Sequence, residues 1–271
     1  MQIERGSVGI QFAVTGEGPT VVLQTGGAGD GSMWREHLPY LTDFRVVQLD
    51  HRGRGGSARP TAVAAHAIGE YVADVVAVLD VLAVTRCGFV GYSAGAQVGY
   101  ALAAGHPDRV AALVGLGATW EESPQDEEDP LIAALRSDGM ASVVAAVEEE
   151  EAIKLPAWLR DQFMATDPEQ FALNLQAWRE WTPWPMHPQI TCPTLLLAGD
   201  LEDPEHLNAV AAQQLPDATS AWLPGLGHVG AFLAAGAECE LIVPFLAEAL
   251  LGPVTDPIRP AGPGPSRQAE P

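Results

Sequence analysis

The pentapeptide Gly91-Tyr92-Ser93-Ala94-Gly95 constrains the fold of this chain more than any other feature. It follows a short apolar run, Cys87-Gly88-Phe89-Val90, and opens an Ala-rich segment of helical character from Ala96 to Ala104. A G-x-S-x-G sequence between a strand and a helix is the pattern of a nucleophile elbow, a turn so sharp that the serine is held in a strained backbone conformation. The flanking positions are glycine because side chains there would strike the neighbouring strand and helix. The hydroxyl then stands at a helix N-terminus, where the positive end of the dipole favours developing negative charge.

The rest of the chain supplies the sheet such an elbow needs. Short β-rich runs occur at Val8–Val14, Thr20–Gln24, Val46–Leu49, Cys87–Val90, Ala111–Leu116, Thr194–Ala198 and Ser220–Leu223. The later ones are continuously apolar, as expected of strands buried on both faces of a parallel sheet. Helical patterns lie at Ile68–Leu82, Asp203–Gln214 and Gly230–Leu251. Alternating β and α with short connections predicts an α/β fold with a mostly parallel, doubly wound sheet. Val8–Gln24 reads as an antiparallel hairpin on its edge.

One segment breaks the alternation. From residue 120 to 187 no strand pattern appears, and five of the seven tryptophans fall there: Trp120, Trp158, Trp178, Trp181 and Trp184. A helical cap inserted into a core of residues 1–119 and 188–251 is the simplest organisation. Tryptophans of the insertion either pack it onto the core or line an apolar pocket, with Trp158, Trp178 and Trp181 the candidates for the pocket. The acidic runs 126–129 and 148–151 read as solvated faces. Residues 252–271, rich in Pro and Gly, read as a disordered tail.

Bulk properties exclude several classes. The net charge of −21, from 35 acidic and 14 basic residues, lacks the cationic footprint that nucleic acid or an anionic membrane requires. No apolar stretch reaches membrane-spanning length, and the N-terminus shows no apolar leader segment, so a cytoplasmic enzyme is the expectation. The cysteines, Cys87, Cys192 and Cys239, are widely spaced and suggest neither a disulfide framework nor a metal site. No metal or cofactor is expected.

A serine hydroxyl needs a base to take its proton and an acid behind that base. Pro224-Gly225-Leu226-Gly227-His228-Val229-Gly230 follows the last strand and precedes the last helix, so His228 is the candidate base. The acid falls after Thr194–Ala198, where Asp200, Glu202 and Asp203 are all available, in the chain order Ser, acid, His. An oxyanion hole needs two backbone N–H groups. Ala94, next after the serine, offers one, and Gly27 in Gln24-Thr25-Gly26-Gly27-Ala28-Gly29 is the candidate for the other.

With these pieces in order, residues 8–250 resemble the α/β-hydrolase superfamily. Asp50-His51-Arg52-Gly53-Arg54-Gly55-Gly56-Ser57 matches its D-x-R-G-x-G-x-S turn, whose usual role is structural, and Ala104–Val110 is similar to the family's helix-to-strand link. The small esterase, enol-lactonase and cofactor-free haloperoxidase branch is the most similar. Two positions depart from the pattern. The family's His-Gly before the oxyanion residue is Thr25-Gly26 here, which removes the support of that histidine. The family's acid position is Glu202, with Asp203 beside it and followed by Pro204; the resemblance favours Glu202 slightly and Asp200 least.

The resemblance implies a serine hydrolase acting on a small carboxylic ester or lactone, and the five tryptophans of the insertion point to an apolar or aromatic acyl or alcohol group. Serine at the elbow argues against haloalkane dehalogenase and epoxide hydrolase chemistry, for which the resemblance requires Asp. A ligand-binding receptor on the same scaffold, and a lyase, cyclase or oxygenase using the Ser–His pair, are the competing classes.

Overall fold

The structure, a computed structural model, describes residues 1–117, 130–179, 181, 188–203 and 205–252. Eight strands run β1 (Gln2–Arg5), β2 (Val8–Thr15), β3 (Thr20–Gln24), β4 (Arg45–Leu49), β5 (Cys87–Tyr92), β6 (Val110–Leu116), β7 (Thr194–Gly199) and β8 (Ala218–Leu223). They form one sheet in the order β1-β2-β4-β3-β5-β6-β7-β8, parallel from β4 to β8. The helices are α1 (Ile68–Val81), α2 (Ala94–Gly105), α3 (Pro130–Asp138), α4 (Met140–Glu150), α5 (Ala157–Met164), α6 (Pro168–Trp178), α7 (Leu207–Gln214), α8 (His228–Leu233) and α9 (Ala235–Leu251).

The period-two pattern of the strands divides the core. Val21, Leu23, Val90, Tyr92, Val114, Leu116, Leu195 and Leu197 face one apolar cluster, which Ile242 and Leu246 of α9 complete. Val22, Phe89, Leu113 and Leu196 face the other, against Val75, Val78 and Leu79 of α1 and Val98 and Leu102 of α2. Helices therefore cover both faces, which is why the inner strands carry almost no polar residues.

Three expectations need correction. The edge hairpin over Val8–Gln24 does not form. β2 pairs antiparallel with β1 and with β4, and β3 lies inside the sheet, parallel to β4 and β5. All five β3 residues are buried, so an interior position covers apolar surface that an edge would leave wet. The helix expected over Asp203–Gln214 starts only at Leu207, because the Asp203 carboxylate accepts the first amides, Leu207 N–H at 2.7 Å and Asn208 N–H at 3.1 Å. The helix expected over Gly230–Leu251 is two helices, separated where Ala234 leaves helical geometry.

Between β6 and β7 the described residues 130–178 form α3 to α6 and the short links between them. Trp120, Trp184, the acidic run 126–129 and the chain beyond Gly252 lie outside the described residues. Among the described residues no helix is long and apolar enough to cross a membrane.

The turn read as structural is densely bonded. Arg52 grips Asp74 of α1 with two hydrogen bonds of 2.8 Å, and Arg5 of β1 donates to the same carboxylate at 2.6 Å. Asp50 accepts from Gly31 and Gly56, and Ser57 bonds both Asp50 and Gln11. This fixes the start of the loop after β4, which lies against the loop after β3.

Candidate active site

The order of the sheet reverses between β4-β3 and β5-β6, and the crevice beyond the strand ends at such a switch point is where open α/β sheets bind ligands. The loop after β3 and the elbow after β5 are neighbours there. Ser93 has φ +54° and ψ −119°, and its N–H is held by the Leu116 carbonyl at 2.7 Å. The flanking glycines are required by close approach. A Cβ at Gly91 would lie 2.3 Å from the Gly95 carbonyl oxygen, and one at Gly95 would lie 2.3 Å from that of Gln24. The strand and helix can pack this tightly only without those side chains.

His228 opens α8 just beyond β8. Its Nδ1 is 2.7 Å from Glu202 Oε1, in the loop after β7. An ionised carboxylate only accepts, so Nδ1 carries the proton and Nε2 is left as a free base. The ring stacks on Tyr92, the residue before Ser93, with centroids 4.8 Å apart. The His228–Glu202 pair crosses the end of β6: a Cβ at Gly117 would be 2.9 Å from Nδ1 and 3.3 Å from Oε1. The imidazole keeps 35% of its surface exposed, enough to meet a ligand. Burial works to lower its pKa. The Glu202 hydrogen bond and the charges of Glu202, Glu151 and Glu238 outweigh that, holding it above the ordinary histidine value.

The other two candidate acids are occupied elsewhere. Asp203 is buried against the start of α7, and its Oδ2 also accepts the Trp222 indole N–H at 3.0 Å. Asp200 accepts the Gly225 N–H at 2.6 Å, bracing the turn after β8.

Gly27 and Ala94 lie on adjacent loops at the same edge, and among the described residues neither amide has a hydrogen-bond partner. A Cβ on Gly26 would come within 3.1 Å of Ser93 Cβ, which places this loop directly over the elbow. The loop has supports that sequence reading missed. Arg54 Nε donates to the Gly27 carbonyl at 2.6 Å. His51 Nε2 donates to the Thr25 carbonyl at 2.5 Å, while its Nδ1 accepts from Gln24 Nε2 at 2.8 Å. His51 thus holds from below a loop that lacks the family's own histidine. Both residues come from the D-x-R-G-x-G-x-S turn, at positions that its pattern leaves unspecified.

Burial pushes the His51 pKa down to about 4; its bond to Thr25 opposes this and the Arg54 charge adds to it. His51 is neutral when folded but takes a proton in the unfolded chain below its ordinary value near 6.5. Stability is therefore lost as pH falls from about 6.5 to about 4, by on the order of 3 kcal/mol from this one group. Urea unfolding at pH 7 and pH 4.5 checks this: His51→Gln is expected to lose less stability over that interval than wild type, by roughly that amount.

The inserted helices also reach this edge. Thr166 Oγ1 accepts the Gly29 N–H at 2.8 Å, and Gln162 Oε1 accepts the Asp30 N–H at 3.2 Å. The Phe171 ring lies where a Cβ of Gly27 would stand, 2.2 Å from its nearest carbon, and takes the Arg54 guanidinium at 5.2 Å. Trp158 packs against the apolar cluster that holds Ala28 and Phe171, whereas Trp178 and Trp181 pack against the other one. Trp178 donates to the His66 carbonyl at 2.7 Å and sets its edge on Tyr71, and Trp181 packs against the same core cluster. Trp158 carries Arg35 over its ring at 5.4 Å. Among the described residues the aromatic ring that the insertion sets against Gly27 is Phe171, a residue whose spacing gave no sign of it. Also among the described residues, no group of three or more His, Cys, Asp or Glu could hold a metal ion.

The elbow, the sheet and the matching of residues 19–179 to the family model of the alpha/beta hydrolase fold show that the chain belongs to the α/β-hydrolase family of enzymes. Among its relatives is a Caulobacter sp. (strain K31) protein named as a carbamate hydrolase (RutD). It is 32% identical over 227 residues, covering 77% of this chain and 83% of the relative. A shorter stretch of 102 residues is 40% identical to epoxide hydrolase B of Mycobacterium tuberculosis, covering 37% of this chain and 29% of that protein. Among solved structures, the enol-lactonase from Burkholderia xenovorans LB400 superposes with a TM-score of 0.82 at 28% identity, covering 92% of this chain and 100% of that one.

Proposed function

We propose that the chain is a serine hydrolase that cleaves a small carboxylic ester or lactone through an acyl-enzyme, with α3 to α6 as the cap over the site. The observation that carries this reading is the Nδ1–Oε1 bond of 2.7 Å between His228 and Glu202, at strand ends beside the Ser93 elbow. Ser93 Oγ attacks the carbonyl carbon as His228 Nε2 takes its proton. Glu202 stabilises the imidazolium, and the Gly27 and Ala94 amides receive the oxyanion. The tetrahedral adduct collapses by breaking the C–O bond, and His228 returns the proton to the leaving alkoxide. Water, deprotonated by His228, then attacks the acyl carbon and releases the acid and free Ser93. In a lactone the alcohol and acid leave as one molecule.

Phe171 and Ala28 on the oxyanion-loop side suit an uncharged, apolar substrate, and no cofactor is required for these steps. The cytoplasm is the compartment this reading assigns. A carbamate is the second reading, favoured by the relative named for that activity. It is also an acyl compound open to the same attack.

Fluorophosphonate labelling with mass spectrometry tests the proposal. One adduct per chain is expected on Ser93, lost in Ser93→Ala. Folded wild type that takes no label would sink it. Parallel assays with p-nitrophenyl acetate, a γ-lactone and a phenyl carbamate then separate the two substrate readings.

A further inference from the structure

The run Glu148 to Glu151 reads in sequence as a solvated acidic face, and two of its members are otherwise engaged. Glu148 joins Lys154, Arg160 and the Leu155 N–H within the insertion. Glu151, immediately after α4, turns toward the sheet edge. Its Oε1 accepts the Val229 N–H at 2.7 Å and its Oε2 accepts the Gly230 N–H at 2.8 Å. These amides directly follow His228. They belong to the first turn of α8, where no helical carbonyl can reach them.

The local backbone is shaped around this contact. Ala152, next to Glu151, has φ +52°, a left-handed conformation that is unfavourable for a residue with a Cβ. Gly227 is the sharper sign. Its φ of −89° and ψ of −165° are open to any residue, so the turn itself does not call for glycine. A Cβ there would lie 2.7 Å from both Cδ and Oε2 of Glu151, so the missing side chain makes room for the carboxylate.

We infer that Glu151 is a positioning residue for His228, clamping the first turn of α8 from the insertion and placing a negative charge beside the base. Its catalytic meaning rests on the serine-hydrolase reading; its effect on the imidazole can be measured without turnover. Among the described residues, the groups facing His228 are Glu202 from the loop after β7, Tyr92 of β5 stacked on the ring, Glu238 of α9 acting through space, and Glu151. Glu238 is itself bonded to His37 at 2.7 Å. Of the three carboxylates, Glu151 is the one contributed by the insertion, and it holds the backbone rather than the ring.

The test is an NMR titration of the His228 imidazole in the full chain, assigned by loss of its signals in His228→Gln. It is run on wild type, Glu151→Gln, Gly227→Ala, Glu151→Ala and the Gly227→Ala/Glu151→Ala double variant. The pH profile of kcat/KM for p-nitrophenyl acetate is recorded beside it. Glu151→Gln keeps the side chain's size and removes its charge. The His228 midpoint is expected to fall by about half a pH unit or more. The acid limb of kcat/KM moves to lower pH with it. Gly227→Ala, which displaces the carboxylate, shifts the midpoint in the same direction but adds nothing to Glu151→Ala.

An unmoved midpoint in folded Glu151→Gln overturns the inference, with or without ester turnover. If that variant does not fold, Gly227→Ala and the double variant decide: additive effects overturn the clamp and non-additive ones support it. Wild type lacking Ser93-dependent turnover counts against the hydrolase reading alone, and the midpoint shift still decides the clamp.

Discussion

Glu202→Gln is expected to lower kcat for an ester substrate by about 10³–10⁴-fold with little change in KM, while Asp203→Asn leaves kcat within a few-fold. The two residues are adjacent and chemically similar, so the contrast isolates geometry. Glu202 fixes the protonated nitrogen of His228 through a single 2.7 Å bond. An amide in its place can present its NH2 group and favour the tautomer whose Nε2 carries the proton, which cannot act as a base. Asp203 spends both oxygens on Leu207, Asn208 and Trp222, all of them donors. An asparagine offers only one acceptor oxygen there, and the clash of its NH2 with a donor costs about 1–3 kcal/mol of stability. Steady-state kinetics and urea unfolding on both variants measure the two effects. A larger kcat loss in Asp203→Asn than in Glu202→Gln would reverse the proposed assignment.

The largest expected effect on stability lies away from the reacting groups. Asp74→Asn leaves the buried Arg52 guanidinium without its bidentate partner and removes one contact of Arg5. Stripping one partner from a buried pair costs about 3–5 kcal/mol. Glu70 is still within 3.3 Å of Arg52, and the Ala65 and Glu70 carbonyls still accept from it, which favours the lower part of that range. The melting temperature is expected to fall by on the order of 10 °C. Removing both charges together, as Arg52→Met/Asp74→Leu, is expected to cost less than the single change, because no uncompensated ion is then buried. Calorimetry on the two variants decides; equal losses would mean that the pair acts through shape rather than charge.

What could be read from the sequence was whatever is encoded locally. The elbow lies within five residues, and its steric logic needs only the strand before it and the helix after it. The continuous apolar runs at β5, β6 and β7 announced burial on both faces. The place of β3 is not legible because an apolar pentapeptide carries no mark of its partner, and its short chain separation from β2 favours a hairpin. The choice among Asp200, Glu202 and Asp203 depends on which of them meets the start of α7 and which meets the turn after β8, and the spacing of the three carboxylates does not distinguish these partners. The roles of Glu151, Arg54, His51 and Phe171 are not legible in the sequence for a related reason. Each meets backbone far away in the chain, 78 residues in the case of Glu151 and Val229, and a side chain that bonds or packs on distant backbone leaves no periodic signature.

The helices inserted between β6 and β7 grip both loops that flank Ser93: Thr166, Gln162 and Phe171 on one side, Glu151 on the other. In many engineering schemes such a segment is treated as an exchangeable cassette that carries selectivity while the sheet carries rate. Here the two cannot be inherited separately. A graft in place of α3 to α6 that did not carry these four side chains would cost the recipient its loop geometry along with any change of preference. Selection for a new substrate in this lineage would act on turnover at the same positions, making substrate range and catalytic power a single evolvable trait.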